Sequence, residues 1–85
     1  MNKQINVLNH ITTVLQKKLP ISHINTDLEE NEYILEIHTN DGKNISHYIS
    51  RYDIEHLERD VEIYYYTKAI IHTVSKLLQN AHKPE

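Results

Sequence analysis

The side chains best equipped for chemistry in this chain are seven histidines (His10, His23, His38, His47, His56, His72 and His82) and twelve acidic residues. A metal site would need several of them at ligand spacing. No two histidines stand at H-x-H or H-x-x-x-H spacing, and H-E-x-x-H does not occur. Glu36 and His38 fall on one strand face, and Asp53 and His56 on one helical turn, but two ligands do not make a zinc site. Paired carboxylates are the second candidate, since Glu58 and Glu62 are i,i+4 neighbours with Glu55 one turn earlier. Such pairs divide acid and base roles only in a cleft that drives their pKa values apart; on a charged helix they form a solvated stripe. The chain has no Cys and one Gly, so it offers no thiolate nucleophile, no disulfide and no Gly-rich phosphate loop. Ser22, Ser46, Ser50 and Ser75 lie in no nucleophile motif. The residues therefore predict no enzyme, no metal and no cofactor.

Charge is the stronger signal. The formal total is −3, with nine basic and twelve acidic residues, but the signs are segregated along the chain. Residues 1–26 carry three lysines and no acid, residues 27–62 carry eleven acids against three bases, and residues 63–85 carry three lysines against one acid. A surface field of one sign steers partners of the other. The same acidic run also fits a solvated face that keeps a small protein soluble.

The elements that must position these residues follow from periodicity. At 85 residues and 39% hydrophobic content, the chain is expected to form a single small domain over 1–85. No apolar run approaches the roughly 18 residues of a membrane span. The opening segment is too polar for a signal peptide, so a cytoplasmic location is expected. Val7, Leu8, Ile11, Val14, Leu15 and Leu19 place an amphipathic helix over 4–19, stopped by Pro20. Residues 22–28 alternate as a half-buried strand. Residues 32–39 and 43–50 form a hairpin around Asn40-Asp41-Gly42. A type I turn with Gly42 as a bulge pairs Tyr33 with Ile49, Leu35 with His47 and Ile37 with Ile45, which segregates the two sheet faces. A two-residue Asp-Gly turn would mix them.

Residues 53–82 read as helix, with Ser50 or Asp53 as the N-cap. Two apolar stripes run along it. Ile54, Leu57, Val61 and Tyr64 form one; Ile63, Tyr66, Ile70, Val74, Leu77 and Ala81 form another, about 150–180° around the helix. The expectation is a break near residues 62–66, or a second molecule covering one stripe. The fold class is thus α+β: an N-terminal helix, a three-stranded antiparallel sheet and a long C-terminal helix, in the order α-β-β-β-α or α-β-β-β-α-α.

The order α-β-β-β-α resembles the double-stranded-RNA-binding domain in topology. That family reads phosphates with a basic cluster opening its last helix. Here the helix opens Asp53-Ile54-Glu55-His56-Leu57-Glu58-Arg59-Asp60, which repels phosphate, so no direct nucleic-acid binding is expected. In size and charge the chain resembles small acidic phage-encoded inhibitors, including some anti-CRISPR proteins and DNA mimics. That resemblance implies an inhibitor or modulator docking on a basic partner protein, of the kind that binds nucleic acid. The expected docking residues are Glu55, Glu58, Glu62 and Tyr65, then Glu29, Glu30, Glu32 and Glu36, with Tyr65 as the anchor. The alternative is a homodimeric structural or regulatory protein associating through Ile63, Ile70, Val74 and Leu77 of the C-terminal helix.

Overall fold

Val7, Leu8, Ile11 and Leu15 recur every three or four residues, and burying that stripe holds residues Lys3–Lys18 as helix α1. The computed structural model describes residues Lys3–Ala81 of the chain. Lys17 and Lys18 occupy the last turn of α1, where cations suit the helix dipole. Leu19 N–H still donates to the Leu15 carbonyl, but Pro20 has no N–H to continue the ladder, and the chain turns into strand β1, Ile21–Leu28.

Strands β1, β2 (Glu32–Thr39) and β3 (Asn44–Ser50) form an antiparallel sheet in that order. The β2–β3 register is the segregating one: Tyr33 faces Ile49, Leu35 faces His47, and Ile37 faces Ile45. Its cause is local. Gly42 adopts φ +91° and donates to the Thr39 carbonyl, while Thr39 N–H donates to the Lys43 carbonyl and Lys43 N–H to the Thr39 hydroxyl. Tyr33, Leu35, Ile37 and Ile49 are consequently buried together, whereas Glu36, Ser46 and Tyr48 on the opposite face stay exposed.

All helices contribute to one core on the first face: Val7, Ile11 and Leu15 from α1, Ile54 from α2 (Arg51–Glu55), and Ile70, Val74 and Leu78 from α3 (Asp60–Ala81). The observed order is α-β-β-β-α-α, an α+β fold. Ser50 caps α2, its hydroxyl accepting from Tyr52 N–H at 3.1 Å.

The C-terminal helix breaks at residues 56–59, nearly two turns before the expected 62–66. The last residue of the predicted 53–82 helix lies outside the described residues. The reason for the break is the half-turn offset between the two stripes. A continuous helix could not point Ile54 and Val74 at the same sheet, and the break lets both become fully buried. No Gly or Pro marks it. Glu62 supplies the restart, its carboxylate accepting from the backbone N–H groups of Glu58 at 2.9 Å and Arg59 at 3.0 Å. That is the acidic half of a capping box, and those two bonds hold the Glu62 carboxyl below the usual carboxylate range.

Candidate functional site

Arg51 gathers acidic residues that are distant in sequence. Its backbone N–H donates to the Asn31 carbonyl and its guanidinium to the Glu30 carbonyl, both at 3.0 Å. A second guanidinium nitrogen lies 3.6 Å from the Glu55 carboxylate. The β1–β2 turn is closed by Glu29 N–H donating to the Glu32 carbonyl at 2.8 Å. The turn bearing Glu29, Glu30 and Glu32 is thereby fastened to the start of α2, which bears Glu55. At the same end Leu28 is 61% and Tyr52 66% exposed. The Tyr52 ring rests on His56 with centroids 3.9 Å apart, which holds it in place at the surface.

The remaining expected docking residues do not join this end as one stripe. The helix break separates Glu55 from Glu62, so Glu55, Glu58 and Glu62 share no continuous helical face. Glu58 lies in the connecting segment, and the Glu62 carboxylate is engaged in capping α3. Glu36 sits on the opposite sheet face, between Asn25 and Ser46. Tyr65 is exposed and meets Tyr64 edge-on at 5.2 Å.

Both apolar stripes contribute to the core: Ile54 is fully buried and Leu57 half-buried in the first, and Ile70 and Val74 are buried in the second. Ile70 is 5% and Val74 0% exposed, packed into the core of the single chain. Ile63 and Leu77 are half-buried, and Leu78 completes the core instead. Val61 and Tyr64, also of the first stripe, are exposed. Because the helix ends at Glu55 and restarts at Asp60, Val61 and Tyr64 no longer continue the face of Ile54.

The histidines disperse. His23 and His38 stack across β1 and β2 with ring centroids 4.2 Å apart. His47 is half-buried on the helix-covered face, where burial lowers its pKa from the usual 6.5. Among the described residues no three His, Asp or Glu side chains converge as a metal-binding group.

A second surface feature had no sequence signature. α1 and α3 lie side by side and run in the same direction along a groove. Lys3 and Asn6 share one cavity of about 400 Å³ with Asp60 and Ile63. Val14 and Lys18 share the next, about 440 Å³, with Lys68 and Ile71. His10 and Tyr64 line both. The two cavities are thus consecutive parts of one valley between helices, and only the three-dimensional packing of two distant segments creates it.

No protein-family model, curated protein or solved structure matches the chain. No helix among the described residues is long and apolar enough to cross a membrane.

Proposed function

We propose that this chain is a small non-enzymatic protein-binding module that docks its acidic end on a basic partner protein. The observation that carries this reading is the Arg51 clasp. It fastens the turn that carries Glu29, Glu30 and Glu32, next in sequence to exposed Leu28, to α2, which carries Glu55 and exposed Tyr52. Apolar anchors at an end rich in carboxylates suit a surface rich in Arg and Lys, the chemistry typical of nucleic-acid-binding proteins. Occupying such a surface would exclude its nucleic acid, the mode of action of small acidic inhibitors that mimic DNA. The carboxylates would speed encounter, and Leu28 and Tyr52 would prolong the bound state.

The test uses a fluorescent oligoarginine peptide as the basic probe and compares two variants with the same change in net charge. E29Q/E30Q/E32Q removes charge from the acidic end; N9K/Q16K/Q79K adds it at exposed helix positions elsewhere. The first should lose most of the binding and its salt dependence, and the second should keep most of both. Equal weakening by the two variants would show that only net charge is read, and the reading would fail.

A further inference from the structure

We propose that the groove between α1 and α3 is a docking site for an acidic amphipathic helix of a partner protein. This surface is separate from the acidic end, and the proposal stands without that reading.

Three features of the groove define its occupant. The first is an apolar floor. Val7 and Thr67 are buried at its base, while Val14, Ile63 and Ile71 are only half-buried and leave apolar surface open above them. The second is the charge of its rim. Lys3 stands at one end and Lys18 and Lys68 at the other, and Asp60 is the only acid among the lining residues described. The third is Tyr64, 56% exposed at the point where the two cavities meet. The Lys68 ammonium lies 5.7 Å from its ring centroid, and Tyr65 meets it edge-on, so the ring is held in place for a partner. Aromatic side chains fixed in this way are frequent binding anchors.

The shape selects a helix over a strand. Both walls are helices whose backbone N–H and C=O groups, outside their terminal turns, are paired within α1 and α3. An extended peptide laid between them would find no ladder partners for its own backbone, whereas a helix arrives with its backbone satisfied. The side-chain ridges of a third helix fit a valley between two others. The stretch from Lys3 to Lys18 is about 22 Å long at 1.5 Å per residue, enough for a helix of about 15 residues. Apolar residues at i, i+3, i+4 and i+7 would meet the floor, and Glu or Asp on the flanks would meet Lys3, Lys18 and Lys68. A helix with basic flanks would face like charges on both sides.

The probe is a designed helical peptide of about 15 residues, with leucines on one face and glutamates on the flanks, compared with its twin carrying lysines for the glutamates. Binding is followed by fluorescence anisotropy, and its place by methyl NMR of the intact chain. The glutamate peptide should bind at least about tenfold more tightly than its twin and should shift the Val14, Ile63 and Ile71 methyls. K18E/K68E should reverse the preference, and Y64A should weaken binding by about tenfold. Lys18, Lys68 and Tyr64 are exposed, so these variants should keep the wild-type circular dichroism spectrum. E29Q/E30Q/E32Q should leave this binding unchanged, which separates the groove from the acidic end. Equal binding of the two peptides, or methyl shifts confined to other residues, would overturn the proposal. So would a dimer of the chain alone that Y64E disperses, which would give the groove to a second copy. Laurate shifting these methyls when the peptide does not would assign it to an amphiphile instead.

Discussion

The Tyr66 hydroxyl donates to Asp53 Oδ2 at 3.3 Å, joining the second turn of α3 to α2 across the segment where the helix breaks. The bond ties together two short-range decisions of the chain, the capping of α2 by Ser50 and the restart of α3 under Glu62. It also makes Tyr66 unlike its exposed neighbours Tyr64 and Tyr65. Burial first, and then the Asp53 carboxylate, push its pKa up to about 12.

Tyr66→Phe should therefore lower stability by about 1 kcal/mol, the net worth of one hydrogen bond, without altering the fold. The linkage gives a direction in pH as well. An unfolded tyrosine ionises near 10, below the folded value of about 12, so the unfolded chain releases this proton first. Stability from Tyr66 is full below about 10 and is lost as pH rises toward 12. Tyrosinate absorbance should contain a component rising toward pH 12 that Tyr66→Phe removes and Asp53→Asn moves down.

His47 works on the acid side. Burial lowers its pKa below 6.5, so the unfolded chain takes up this proton first as pH falls. Its contribution is complete above about 6.5 and is lost progressively as the solution is acidified toward the folded pKa. Urea midpoints measured across this range should fall with pH in the wild-type protein. In His47→Gln the fall should be shallower, and the difference between the two curves isolates this side chain from the carboxylates.

The hairpin shows how far the sequence alone reaches. The Asn40-Asp41-Gly42 turn allowed two registers, and only one put Tyr33, Leu35, Ile37 and Ile49 on a common face; that face is the buried one. Local pattern and global burial agree there, so the register was legible. The long C-terminal helix was legible only in outline. Its two stripes required a break, but the break lies where Glu62 can reach back to Glu58 and Arg59, and the capping position itself is Arg59, outside the usual Ser, Thr, Asp or Asn. How each half of the helix is turned toward the core depends on α1 and the sheet, and no local signal carries it. The acidic residues were legible as a segment and not as a surface. Arg51 brings Glu30 and Glu55 together, while Glu36 lies on the far side of the sheet.

Gly42 provides a test of the turn. At φ +91° any other L-residue is strained, yet a Cβ added there would meet no atom within 4 Å. The cost of Gly42→Ala is therefore conformational and free of any clash, about 1–2 kcal/mol. Thermal unfolding should shift down by roughly 4–8 °C per kcal/mol for a domain of this size. Gly42→Asn should cost less than Gly42→Ala, because Asn tolerates the left-handed region better.

The placement of Ile70 and Val74 inside the single-chain core has a consequence that separates it from a dimer contact. Ile70→Ala removes buried methyl groups and leaves a cavity, at a cost of about 2–5 kcal/mol, a large part of the 5–15 kcal/mol typical of whole domains. Val74 is fully buried, so Val74→Ala should destabilise in the same way. Both losses should be independent of protein concentration, because the partners of these side chains belong to the same chain. Tyr65→Ala, at a 62% exposed position, should change stability by less than about 0.5 kcal/mol. Urea unfolding at two concentrations a hundredfold apart decides between the placements. A midpoint that moves with concentration in the wild-type chain, and ceases to move in Ile70→Ala, would put this stripe between two copies. Parallel curves with a lowered midpoint would place it within one.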